Sequence, residues 1–95
     1  MKLLMLIVDE EKKEELEVVL SHAEGVLGFT ELPNAVGTGA SGQRFGSRAF
    51  PKTSAVIFTV ITADAQDRIV ADIRSYCAEC GEKLKMFSWG VEEVM

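Results

Sequence analysis

The chain opens on a nearly unbroken aliphatic run, Lys2 to Val8, followed at once by Asp9, Glu10 and Glu11. Such a run predicts a central strand with apolar side chains on both faces. The acids behind it predict a helix start, because Asp9 is placed to cap and Glu10 and Glu11 complement the positive end of the helix dipole. Leu16, Val19, Leu20 and Ala23 then fall at i, i+3, i+4 and i+7, one apolar stripe, and Gly25 ends the helix.

From Gly28 to Val36 the apolar positions Phe29, Leu32 and Val36 alternate only in part, and Pro33 cannot donate to a ladder, which predicts a bent or edge strand. Thr53 to Thr62 is rich in β-branched residues, with Val56, Phe58 and Val60 on one face and Ala55, Ile57 and Ile61 on the other. It reads as the second central strand. Thr62 or Asp64 caps a second helix whose stripe is Ile69, Ile73, Tyr76 and Cys80, with Gly81 as its end. Lys83 to Val94 predicts a last strand, with Gly90 as a bulge or bend.

The order is β-α-β-β-α-β over a single domain, residues 1–95. Two right-handed β-α-β units predict an α+β, ferredoxin-like sandwich: a four-stranded antiparallel sheet with two helices on one face, and the first and third strands parallel in its middle. Apolar residues nevertheless point to both faces of the central strands. The uncovered face therefore asks for burial against another copy of the chain, and an oligomer is expected.

Composition adds exclusions. Hydrophobic residues make up 47% and charged residues 26% of the chain, which sets aside disorder and fibrous repeats. The net charge of −5 argues against general affinity for nucleic acid or an anionic membrane surface. The first apolar run is too short to span a membrane or to serve as a signal-peptide core, so no membrane insertion and a cytoplasmic location are expected.

Charge is not spread evenly. The segment between the second and third long strands, Gly37 to Lys52, reads GTGASGQRFGSRAFPK and carries Arg44, Arg48 and Lys52 with no acid, leaving −8 for the rest of the chain. A connection of this length without secondary structure is uncommon unless it is functional. Gly37, Gly39 and Gly42 match GxGxxG in spacing, but Pro51 and a β-branched strand follow where a dinucleotide fold needs a helix. Two readings remain open: an anion nest of backbone N–H groups with Arg44 or Arg48 clamping a phosphate or carboxylate, and a solvated hairpin loop.

The enzyme case is weak. Cys77 and Cys80 form a CxxC at the C-terminal end of the second helix, whereas a redox pair prefers a helix N-terminus, where the dipole lowers the thiol pKa. If both helices end at the same side of the sheet, His22 approaches the two thiols, and Cys77, Cys80 and His22 make a metal set short of one ligand. Core packing of Cys80 is the alternative. The carboxylates of Glu10 to Glu17 read as a solvated helix face, and Phe87 and Trp89 as strand aromatics that stack on a base or pack against a neighbour.

The order of parts resembles the PII signalling proteins of nitrogen regulation and their PII-like relatives, over nearly the whole chain. The similarity is carried by the opening MKLLMLIV with its acidic helix, by Phe29-Thr30-Glu31, by Gly37-Thr38-Gly39, by the helix ADAQDRIVADI, and by Lys85-Met86-Phe87-Ser88-Trp89-Gly90-Val91-Glu92-Glu93-Val94, which is similar to the family's KIFVxPVEDAI. The resemblance implies a homotrimer of ferredoxin-like subunits with adenine nucleotides in clefts between subunits. It also implies that residues 37–52 are a shortened T-loop contacting a target protein, such as a transporter or an enzyme. Gly37, Thr38 and Gly39 would line the cleft, and Lys85 matches a lysine that contacts phosphates. Two departures bear on the ligand: the loop lacks the usual tyrosine modification site, and the family's glycine-rich segment has become Cys80-Gly81-Glu82-Lys83-Leu84-Lys85. ATP, ADP, AMP or another small anionic ligand is therefore expected, with no cofactor fixed.

The expectation is a non-catalytic PII-like regulator with Arg44 and Arg48 contacting the anion or partner. The alternative is a CutA-like or metal-responsive trimer that binds a divalent metal through Cys77, Cys80 and His22. The aromatic-rich long strands associated with CutA are missing from this sequence.

Overall fold

A computed structural model describes residues 1–39, 42–49, 51–80 and 84–95, and for Gly42 and Cys77–Cys80 the backbone alone. The elements are β1 (Lys2–Asp9), α1 (Lys13–His22), β2 (Val26–Ala35), β3 (Gly37–Gly39), β4 (Gly42–Arg44), β5 (Ser54–Ile61), α2 (Gln66–Cys80) and β6 (Lys85–Gly90), with a 3-10 turn before each helix. The long strands form one sheet in the order β2-β5-β1-β6, and β3 and β4 form a separate two-stranded hairpin. This is the expected ferredoxin-like α+β fold with that hairpin added.

The central pair differs from expectation. β1 and β5 run antiparallel, Lys2 opposite Ile61 and Asp9 opposite Ser54. Each crossover leaves a gap one strand wide: β2 returns parallel to β1 two places away, and β5 fills the space between them. β6 stands in the same relation to β5 across β1. Antiparallel central strands also make the two helices antiparallel. Thr62, entering α2, donates its amide to the Gly25 carbonyl beyond α1, at 2.9 Å, while Tyr76 near the far end of α2 donates its hydroxyl to the Lys12 carbonyl, at 3.2 Å.

The core lies between sheet and helices. Leu4, Leu6 and Val8 of β1, Ala55, Ile57 and Ile61 of β5, Leu16 and Leu20 of α1, and Ile69 and Ile73 of α2 are buried. Full burial of each such aliphatic chain is worth about 2 kcal/mol. Thr59, the polar member of the buried set on β5, donates its hydroxyl to the Gly28 carbonyl at 2.7 Å, so its burial leaves no orphan donor. Asp9 caps the first turn as expected, Oδ1 accepting the Glu11 amide at 3.0 Å. Thr62 takes the N-cap position before Ala63–Ala65 without a side-chain cap bond.

β2 is an edge strand and it is bent. Its register with β5 slips between Leu32 and Ala35, where Pro33 has no N–H to give and Asn34 adopts a left-handed φ of 56°. The freed Asn34 amide donates to Glu10 Oε2 at 2.8 Å. β6 keeps a regular register with β1, so Gly90, opposite Lys2, closes the strand without a bulge. Gly81 and Lys83, taken as the end of the second helix and the start of the last strand, lie outside the described residues.

Cross-strand partners share a face, which identifies the side-chain layer on the side away from the helices. Leu3, Met5 and Ile7 stand there with Val56, Phe58 and Val60, and Leu32, Phe87 and Trp89 continue the layer onto the edge strands. Leu32, Phe87 and Trp89 are 51%, 49% and 43% exposed. The open face is thus a continuous apolar surface of the kind that marks an interaction site.

Candidate functional site

The segment 37–52 is not structureless. Gly37 pairs with Arg44, Thr38 with Gln43 and Gly39 with Gly42, so the chain leaves β2 as a short antiparallel arm. Its return is tied down by the Gly46 amide donating to the Lys52 carbonyl at 3.3 Å, and by the Glu10 amide donating to the Thr53 carbonyl at 3.2 Å. Gly46 needs its glycine, with φ at 65° and room limited by the Thr53 methyl 3.0 Å from where a Cβ would sit. The expectation of a loop without secondary structure overlooked that residues 37–39 and 42–44 can pair with each other.

Arg44 stands at the open end of the arm, and its Nη1 meets Asp9 Oδ2 at 2.8 Å with the two side chains only 17% and 9% exposed. Burial alone would raise the Asp9 pKa. The Glu11 amide and the Arg44 guanidinium outweigh burial, with help from the field of Lys52, and hold the carboxyl below its usual range. Lys85, at the start of β6, is opposite Ile7, two residues before Asp9 on β1. Arg44, Lys52 and the Gly37 end of the arm therefore gather around a single carboxylate, and Lys85 begins β6 at the same end of the sheet. Arg48 lies exposed in the bends beyond β4.

Gly37, Thr38 and Gly39 are exposed, and a Cβ built on Gly37 or Gly39 would meet nothing within 4 Å. Neither has a left-handed φ. Among the described residues nothing, in conformation or in space, requires glycine at these two positions. Close approach of a body from outside the subunit would require it.

The helix layer sets the backbone positions of the expected metal set apart within one subunit. Because the helices are antiparallel, His22 lies beside the start of α2, while Cys77 and Cys80 belong to its last turn, on the order of 15–20 Å along the helix layer. His22 Nδ1 lies 2.9 Å from the Val18 carbonyl. The side chains of Cys77 and Cys80 lie outside the described residues, and no cluster of three metal-ligating side chains occurs among the described ones.

The acidic face of α1 is more structured than its run of carboxylates suggests. Lys13 Nζ bridges Glu10 Oε1 and, at 2.9 Å, Glu31 Oε2 on β2, and hydrogen bonds to both carboxylates raise the Lys13 pKa. One turn on, Glu17 Oε2 is shielded from solvent and as a carboxylate has no donor to accept from. Burial, the Glu31 hydrogen bond and the Glu31 charge push the Glu17 carboxyl up to about 7, and the same shared proton together with Lys13 lowers Glu31. No local pattern in the chain signals this, since Glu31 approaches α1 only once β2 is in register. The partnership of Asp9 with Arg44 was hidden for the same reason, the two lying 35 positions apart in the chain.

The family model described as Nitrogen regulatory protein P-II matches residues 1–95. No curated protein matches the sequence. Among solved structures, CPII from Thiomonas intermedia K12, a nitrogen regulatory PII-like protein bound to ADP, AMP and bicarbonate, is similar with a TM-score of 0.71 and 18% identity, over 95% of this chain and 86% of that one. A DUF3240 family protein from Shewanella baltica gives a TM-score of 0.74 at 17% identity, over 99% and 92%. A PII-like signalling protein from Thermus thermophilus gives 0.69 at 12% identity, over 93% and 83%. At these identities the likeness to the solved structures is one of fold. No helix among the described residues is long and apolar enough to cross a membrane.

Proposed function

This chain belongs to the nitrogen regulatory protein P-II family, and from that premise we propose that it is a non-catalytic, cytoplasmic regulator whose subunits gather into a trimer through the open sheet face. A small anionic ligand, in the first place an adenine nucleotide, is held in the clefts between subunits at the hairpin end. Residues 37–52 then present the bound or free state to a target protein.

The observation that carries this reading is the pair of glycines, Gly37 and Gly39, kept where none of the described residues calls for glycine, on an arm whose base carries Arg44 close to Lys52 and Asp9. Backbone N–H groups without a covering Cβ, next to convergent cations, suit a phosphate or a carboxylate. The complexes of CPII with ADP, AMP and bicarbonate support the choice of ligand class. An arm whose hold on the rest of the subunit changes with such a ligand is a conformational switch.

Calorimetry of the purified protein against ATP, ADP, AMP and bicarbonate tests the reading. Heat is expected with at least one of them, and Lys85→Ala should weaken that binding about ten-fold or more, the worth of a hydrogen bond to a charged group. The absence of heat with all four would remove the ligand from the reading.

A further inference from the structure

We infer that Asp9 is a built-in competitor for the ligand: its carboxylate holds the Arg44 guanidinium in the free subunit, and an oxyanion arriving at the hairpin, phosphate or bicarbonate, takes its place and releases the arm. The inference rests on the anion-binding reading above and deepens it.

The Asp9 contact is built like a seat for an oxyanion. A single carboxylate oxygen, Oδ2, meets Arg44 Nη1 at 2.8 Å in a site largely shielded from water. The guanidinium carries five N–H donors, so one oxygen does not exhaust it. Arg44 is paired with Gly37 at the root of the arm, so whatever holds Arg44 sets the direction of Gly37 to Gly39.

The exchange is cheap on the Asp9 side. Oδ1 keeps the Glu11 amide at 3.0 Å whether or not Arg44 is present, so the helix start survives. Lys52 already acts on the same carboxylate and stays when Arg44 leaves, so no buried charge is stranded. Glu10, the neighbouring acid, is committed to Lys13 and the Asn34 amide and does not compete for Arg44.

Asp9→Asn is the test, because Asn caps helices as well as Asp does while carrying no charge. Asp9→Ser, a second capping residue, repeats it. Calorimetry of the full chain against ADP, inorganic phosphate and bicarbonate should show Asp9→Asn binding about ten-fold tighter than the unmodified protein, the worth of one displaced charge-assisted hydrogen bond. The gain should vanish in Asp9→Asn/Arg44→Gln, and the anion that shows it identifies the oxyanion. Without ligand, trypsin should cut after Arg44 several-fold faster in Asp9→Asn than in the unmodified chain. Equal affinity of the unmodified and Asp9→Asn proteins, or a gain that persists without Arg44, overturns the inference and leaves the ligand reading standing. No heat from either protein with any of the three anions overturns the ligand reading itself, and the competition with it.

Discussion

Replacing Glu17 by Gln exchanges a carboxyl that must keep a proton for an amide that donates at every pH. In the native subunit burial and the Glu31 carboxylate push Glu17 up to about 7 from 4.5. Between those values the folded chain holds a proton that the unfolded chain has released, so stability falls as pH rises through the window. Glu31 shifts the other way and contributes stability above its unfolded pKa that is lost as pH falls through the lowered one, so the pair partly compensates. Glu17 is only part-buried and solvent screens it, which leaves a net effect of about 1–2 kcal/mol. Urea unfolding of both proteins at pH 5, 6, 7 and 8 should show equal stability at the acid end and a growing advantage of Glu17→Gln toward pH 8. A difference that stays constant with pH would refute the shared proton between α1 and β2.

Gly25→Ala forces a Cβ to within 2.5 Å of the Ala65 Cβ and 3.0 Å of Thr62 Oγ1 at a φ of 95°, and left-handed strain with overpacking should cost about 3 kcal/mol in thermal unfolding. A melt superimposable on the unmodified one would contradict that packing. Gly39→Val meets open space among the described residues and should change stability by less than about 0.5 kcal/mol while abolishing the calorimetric signal of the bound anion. Retained binding would remove the argument from the glycines. Phe58→Asp places a charge in the middle of the open apolar face and should yield a monomer by size-exclusion chromatography with light scattering; an unchanged particle would show that this face is not the interface.

The long elements were legible because each carries its own period. β1 and β5 show apolar residues on both faces, α1 shows Leu16 and Leu20 one turn apart, and α2 shows Ile69 and Ile73. Asp9 as a cap and Pro33 as the point where a ladder fails are local chemistry, and both hold in the structure. Strand direction was not legible in that way. Hydrophobic pattern is the same for a parallel and an antiparallel neighbour, and the split crossover that sets β1 against β5 depends on which gap each strand fills. That error carried forward to His22, which a parallel pair would have brought to the CxxC end and the antiparallel pair takes away from it. The candidate site was half visible: basic residues and glycines marked 37–52, but Arg44 stood out as a free cation because its partner Asp9 is distant in the chain and adjacent only after folding.

Both the proposed trimer and its proposed ligand clefts depend on the sheet face that the helices leave bare, where Leu3, Met5, Phe58, Val60, Phe87 and Trp89 form one apolar layer. Sedimentation equilibrium of the unmodified chain at micromolar concentration measures directly what covers it. A particle of three times the 10.4 kDa subunit mass is expected. A stable 10.4 kDa species that keeps this face in water would contradict the trimer, and would leave the clefts between subunits without walls.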